Sequence, residues 1–154
     1  MTTGDNAKKA VAEALNGVLA DSFALYLKTK NFHWHVSGPH FRDYHLMFDE
    51  HAAQILATTD LIAERVRKNG RRTLTSIGDI ARRQSISDND DAKVAAVDML
   101  DELRSDNLKL VAKLRETKEL AAEAGDNATD GMLDDWTDQA EERAWFLFEI
   151  AQKD

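Results

Sequence analysis

At 154 residues and 17.3 kDa the chain suits one domain over 1–154, large enough to bury roughly two thirds of its unfolded surface. Zero cysteines exclude disulfides, thiolate metal sites and cysteine nucleophiles together, so a metal here must be held by His, Asp, Glu or water. A formal charge of −8 repels nucleic acid on average, and the sequence is read as having neither an apolar run near the roughly 18 residues of a membrane span nor a secretory signal in MTTGDNAKKA, which predicts a cytoplasmic protein.

One proline, seven glycines and an abundance of Ala, Leu, Glu, Asp, Lys and Arg predict an all-α fold. Apolar residues recur at helical spacing from about Asn6 to Trp34 (Val11, Leu15, Leu19, Phe23, Tyr26), and Ser37-Gly38-Pro39 breaks the run. A second helix of about 28 residues carries Phe41, Tyr44, Phe48, Ile55, Ile62 and Val66 and closes at Gly70, a residue suited to a C-terminal cap. LTSIGDIARR reads as a short connecting helix, and SISDNDD as a loop with helix-start chemistry. A third long helix is expected from about Asp91 to Ala124. After GDNATDG a fourth presents Leu133, Trp136, Ala140, Leu147 and Ile150 on one stripe, with Trp136 and Trp145 as core or contact residues. Four amphipathic helices make a four-helix bundle the economical solution.

Charge is unevenly spread. Residues 1–87 carry twelve Lys/Arg against nine Asp/Glu, and residues 88–154 carry eight against nineteen. The strongest basic cluster is Arg65, Arg67, Lys68, Arg71, Arg72, Arg82 and Arg83, open to three readings: solvated surface, inter-subunit ion pairs or DNA phosphates.

The stretch NFHWHVSGPHFRDYHLMFDE holds four of the five histidines. On the second helix His45 and Asp49 are four apart, as are Asp60 and Glu64, so each pair projects from one face as a half-site. Fifteen residues separate His45 from Asp60, roughly 22 Å along the axis, so one copy of the helix cannot assemble both halves. Both pairs nonetheless look out over nearly the same side, since fifteen steps of about 100° return to within about 60° of the start. Two such helices packed antiparallel about a two-fold axis near residues 54 and 55 bring each half-site onto its complement, twice by symmetry. His33, near the end of the first helix, adds a nitrogen. Two imidazoles and three carboxylates suit Fe(II), with Zn(II) or Mn(II) as competitors. An intrachain di-iron centre of the Glu-x-x-His type is not expected, because no histidine has a glutamate three residues before it. His35 points about 200° away from His33, and His40 and His51 lack partners at coordinating spacing, so all three read as surface or hydrogen-bonded residues.

HWHVSGPHFRDYHLMFDE, followed by TTDLIAER, resembles the Dps family of mini-ferritins, with His33-Trp34, Gly38, Phe41, His45, Asp49, Asp60 and Glu64 matching in identity and spacing. DNATDGMLDDW and AWFLFEI resemble that family's fourth helix. The resemblance implies a ferritin-like four-helix bundle with a short extra helix between helices two and three, assembled as a hollow dodecamer with ferroxidase centres at two-fold interfaces. It implies that His33, His45 and Asp49 of one subunit join Asp60 and Glu64 of a neighbour. There Fe(II) would be oxidised to Fe(III) by hydrogen peroxide or oxygen and stored as ferric mineral, protecting against oxidative stress. Trp34 is then either a sink for stray oxidising equivalents or a packed interface aromatic. Glu123, Asp126, Asp130 and Asp134 are candidates for a pore admitting iron. The alternative is a nucleoid-associated, DNA-binding protective protein, although the chain ends offer no Lys/Arg-rich tail of the kind DNA-condensing members use.

Overall fold

The computed structural model describes residues 3–153; Met1, Thr2 and Asp154 lie outside the described residues, as do those ends of the predicted domain and of the MTTGDNAKKA segment. The helices are α1 (Thr3–His35), α2 (Phe41–Lys68), α3 (Ile77–Arg83), α4 (Ala96–Glu123) and α5 (Asn127–Ile150), and among the described residues there is no strand. The all-α expectation and the short helix between the second and third long ones are thus met.

Sequence chemistry accounts for the helix ends. Gly38, at φ +120°, turns the chain between α1 and α2 in a conformation that L side chains rarely adopt. Gly70, at φ +77°, closes α2 as expected, its N–H donating to the Arg67 carbonyl at 2.9 Å. Asp126 caps α5, its carboxylate accepting from the Thr129 N–H at 3.1 Å, so α5 begins at Asn127, inside the segment read as a turn.

The predicted start of the third long helix is corrected: α4 begins at Ala96 rather than near Asp91. Asn89 Oδ1 accepts from the Asp91 N–H and Asp91 Oδ1 from the Lys93 N–H, at 2.9 and 3.1 Å. These side chains satisfy the backbone locally in turns that compete with helix, so the polar run delays α4 instead of capping it.

Two helical hairpins, α1 with α2 and α4 with α5, pack so that α1 adjoins α4 and α2 adjoins α5. The segment between α2 and α4 runs the length of α1, held by polar groups at successive heights. Asn16 Nδ2 donates to the Arg72 carbonyl at 2.9 Å, Asp21 accepts from the Ser85 and Ile86 N–H groups at 2.6 and 3.0 Å, and Lys28 Nζ donates to the Ser87 carbonyl at 2.8 Å. Asn31 Nδ2 reaches the Asn89 carbonyl at 3.2 Å. The crossover therefore returns the chain to the end where α2 began, and α4 runs parallel to α2, as in bundles with one long connection.

The core joins Leu15, Leu19, Leu25, Phe32, Phe48, Ile55 and Ile62 to Met99, Leu103, Leu114, Leu133 and Leu147, all at most 2% exposed. Each such side chain stabilises the fold by about 1.5–3 kcal/mol relative to exposure. Phe41, read as part of the apolar stripe, is instead exposed: as the first residue of α2 it stacks on the His45 ring at 4.9 Å. Trp136 is buried, whereas Trp145 is exposed, edge-on to Phe146.

By length and composition α1 also meets the measure of a membrane-crossing helix, contrary to the sequence reading. Within its Gly4–His35 stretch the apolar window is 56% buried inside the protein, against α2 and α4, as the core helix of a bundle is.

Candidate metal centre

The tight turn at Gly38 folds the start of α2 back on the end of α1 and sets His33 against His45. Their rings stack at 3.9 Å between centroids and 18° between planes. His33 Nδ1 lies 2.6 Å from the His45 carbonyl oxygen, and His45 Nδ1 lies 2.7 Å from that of His33. A carbonyl only accepts, so each Nδ1 carries the hydrogen and donates. In the neutral rings this leaves both Nε2 atoms with lone pairs, the tautomer a metal requires, with the backbone acting as the orienting partner.

Asp49, one turn beyond His45, places Oδ1 3.8 Å from His33 Nε2. Lys30 Nζ donates to the same Oδ1 at 2.8 Å and lies 5.8 Å from the centroid of the Trp34 ring. The Lys30 hydrogen bond, joined by its charge and those of the two histidines, holds the Asp49 carboxyl below the usual carboxylate range. Lys30 escaped the sequence reading; its spacing of three from His33 was the one signal that it shares the ligand face.

Asp60 and Glu64 are exposed farther along α2, and one chain does not bring them to the histidines. Among the described residues no group of three or more His, Asp or Glu converges to hold a metal within one chain. Between the half-sites the same face of α2 presents Ala53, Leu56 and Ala57, all exposed. Trp34, beside His33, is 57% exposed.

The other histidines divide. His35 is exposed, its Nδ1 2.8 Å from both oxygens of Asn31, and His40 is exposed before α2. His51, read as a surface or hydrogen-bonded residue, is buried beside the Phe146 ring, which removes the surface alternative, and burial, aided by the nearby Arg143 charge, pushes it down to about 4. The bundle interior also holds the Arg143 guanidinium, donating to Asn107 Oδ1 and Gln54 Oε1 at 2.8 Å each, which sequence spacing did not suggest.

The acidic residues proposed as a pore are partly engaged. Asp126 caps α5 and accepts from Asn69 Nδ2 at 3.0 Å, Asp130 and Asp134 both pair with Lys118, and Glu123 is exposed. The basic cluster is engaged too: Arg65 lies 3.5 Å from Asp126, Arg82 and Arg83 pair with Asp79, and Arg71 donates to the Asp5 carbonyl at 3.2 Å.

A ferritin-like domain model matches residues 12–154. The chain is 33% identical over 140 residues to the DNA protection during starvation protein of Brevibacillus brevis, covering 91% of this chain and 93% of that one. The chain belongs to the Dps family. Among solved structures, Dps from Thermosynechococcus elongatus superposes with a TM-score of 0.96 at 25% identity over 99% of this chain and 97% of that one. Dps from Bacillus brevis gives 0.93 at 31% identity, covering 99% and 100%. A Dps from Vibrio cholerae O1, described as a member of a broad superfamily of ferritin-like diiron-carboxylate proteins, gives 0.90 at 25% identity, covering 96% and 92%. The Dps fold thus places a histidine pair and a carboxylate at one end of α2 and two more carboxylates toward its far end.

Proposed function

We propose that this Dps chain is an iron-storing, protective ferroxidase whose sites are completed between subunits. His33, His45 and Asp49 of one chain and Asp60 and Glu64 of its two-fold partner would hold Fe(II) as substrate. The observation that carries this is the exposed face of α2. Its middle, Ala53, Leu56 and Ala57, is apolar and unpartnered in one chain, while its ends carry the two incomplete ligand sets. An antiparallel copy would cover the apolar centre and complete both ends.

The ligand set suits the chemistry. Two outward Nε2 lone pairs and three carboxylates bind Fe(II) and stabilise the harder Fe(III), without a thiolate to be oxidised; Zn(II) and Mn(II) would compete for the same donors. With hydrogen peroxide as oxidant, two Fe(II) each give one electron, the O–O bond breaks, and two protons complete two waters. Delivering both electrons together avoids hydroxyl radical; dioxygen is the slower alternative. Trp34, exposed beside His33, would take surplus oxidising equivalents or pack against the partner. The ferric product would be stored inside a hollow dodecamer in the cytoplasm, reached past Glu123, Asp126, Asp130 and Asp134, of which Asp130 and Asp134 pair with Lys118 within the chain.

Subunit complementation tests the shared site. A chain with His33→Ala and His45→Ala is co-expressed with one carrying Asp60→Ala and Glu64→Ala, and heterodimers are verified by mass. Each mutant homodimer has two damaged centres, whereas a heterodimer concentrates all the damage in one. The expected result is fast peroxide-dependent iron oxidation restored in heterodimers only. Heterodimers no faster than the mutant homodimers would reject the shared site, and wild-type rates in either homodimer would reject the ligands.

A further inference from the structure

Contacts within the chain use only part of the basic cluster at the end of α2. Arg65, Arg82 and Arg83 have carboxylate partners and Arg71 reaches the Asp5 carbonyl, but the exposed Arg72 guanidinium has no hydrogen-bond or ion-pair partner among the described residues. Arg72 lines an open cleft of about 340 Å³ between the amino-terminal half of α1 and the segment that leaves α2. Lys9, Arg71 and Arg83 line it too, against one carboxylate, Glu13, whose ion pair with Lys9 spans 4.0 Å between exposed side chains. Four cations from three parts of the chain thus meet at one concavity, in a protein whose net charge is −8. The backbone beneath them is fixed. Asn16, 5% exposed, donates to the Arg72 carbonyl at 2.9 Å and accepts from the Thr73 hydroxyl at 2.8 Å, and Arg67 donates to the Arg71 carbonyl at 3.0 Å. Arg83 is steadied through its Nε, which donates to Asp79 Oδ1 at 3.1 Å.

We infer that this cleft is a binding site for a short chain of linked phosphates, a diphosphate or triphosphate, free or borne by a nucleotide. Guanidinium forks match the paired oxygens of a phosphate, and several cations round one concavity suit a ligand with more than one such group. A cleft whose backbone is set beforehand spends less of the binding energy on ordering itself. A DNA duplex would need a track of cations along the surface instead. Here Arg65 and Arg82 are tied to Asp126 and Asp79, and Glu13 and Asp79 interrupt the track. The bound phosphates would join Lys9 of α1 to Arg71, Arg72 and Arg83 of the crossover, reinforcing the strap that Asn16 already makes. The site is independent of the proposed iron chemistry, since Lys9 lies roughly 36 Å along α1 from His33.

The test uses the full-length assembled protein without divalent ions and inorganic tripolyphosphate as the probe. Binding is titrated calorimetrically at about 0.15 M ionic strength, with ATP, sulfate and a short DNA duplex in parallel. The expected result is saturable binding of one tripolyphosphate per chain, weakened about tenfold in Arg72→Gln and further in Arg71→Gln/Arg72→Gln. Arg115→Gln, which removes the same charge from an exposed ion pair on α4, should bind as the wild type does. Glu13→Gln should bind more tightly, a change of sign that loss of folding cannot mimic. ATP bound as tightly as tripolyphosphate would make the phosphate chain the whole ligand, and ATP bound more tightly would add the nucleoside; either supports the cleft. Absence of saturable tripolyphosphate binding would overturn the inference, as would sulfate binding equally well or Arg115→Gln weakening binding as much as Arg72→Gln. Duplex binding that depends on Arg72, with tripolyphosphate unable to compete, would overturn it in favour of a DNA surface.

Discussion

His33 and His45 each direct Nδ1 onto the other's backbone carbonyl, at 2.6 and 2.7 Å, so that each residue orients its neighbour's ring. Both rings are thereby held in the Nδ1–H tautomer without recruiting a second carboxylate. Nitrogen-15 correlation spectra of the metal-free protein, recorded where both rings are neutral, should show Nδ1 protonated and Nε2 bare in each, and Zn(II) should shift the Nε2 resonances. An Nε2–H tautomer at either residue would reject this orientation. Because the acceptors are main-chain atoms, His45→Ala leaves the His33 ring its partner. That variant should lose about 10- to 100-fold in metal affinity while keeping its helices, as read by Zn(II) titration beside circular dichroism.

Gly38 sets the turn that makes this pairing, and φ +120° is costly for any residue with a Cβ. No atom crowds the added methyl, so Gly38→Ala would act through backbone strain alone. A loss of roughly 1–2 kcal/mol is expected, together with weaker metal binding as the end of α1 shifts. Gly70→Ala, at φ +77° and at the far end of α2, should cost stability but leave the histidine half-site intact. Equal Zn(II) affinity in the two variants would separate the turn from the site.

Asp21 gives the fold a dependence on pH. Its side chain is 1% exposed, and burial would raise its carboxyl, but the Lys113 ammonium, the Ser85 hydroxyl and two backbone N–H groups outweigh that and hold it below 3.8. A carboxylate depressed in the folded state contributes stability that is fully present above the unfolded value of 3.8 and is lost as pH falls through the folded value. Asp106 moves the opposite way, raised chiefly by burial, so the net acid profile mixes the two. The difference between wild type and Asp21→Asn in urea unfolding at matched protein concentration isolates Asp21: it should be largest above the unfolded value of 3.8 and shrink as pH falls below it. A difference independent of pH would mean that the charge is not what matters.

Arg143 is 3% exposed and ties Asn107 on α4 to Gln54 on α2. Replacing it by Met leaves two amide oxygens without their donor inside the bundle, a loss of about 2–4 kcal/mol. Because Arg143 lies away from the histidine pair, folded Arg143→Met should bind Zn(II) with wild-type affinity; a lowered affinity would show that the interior network supports the site.

Much of the fold was legible because helical periodicity survives in the sequence wherever a helix buries one face, as at Leu15, Leu19, Ile55 and Ile62. The half-sites were legible because residues four apart on one helix must share a face, wherever that helix packs. What sequence spacing could not supply were contacts between helices. Lys30 meets Asp49 across 19 positions, and the exchange of carbonyls by His33 and His45 depends on the angle of the Gly38 turn. The burial of His51 was not legible because nothing in its own helix announces Phe146, which approaches from α5. The start of α4 was misplaced because Asn89 and Asp91 can equally cap a helix or fold back on the loop, and tertiary packing chooses.

The crossover strapped along α1 by Asn16, Asp21, Lys28 and Asn31 also shapes how the chain reaches its native state. Each helical hairpin closes through neighbours near in sequence and can form quickly, but every strap bridges 56 to 65 residues. Registering the second hairpin against the first therefore waits on the slowest, least local contacts in the molecule, made by polar groups whose geometry rejects a slipped alignment. A hairpin pair joined by a slack linker could dock in either orientation. Here the straps fix the direction in which α4 runs along α1.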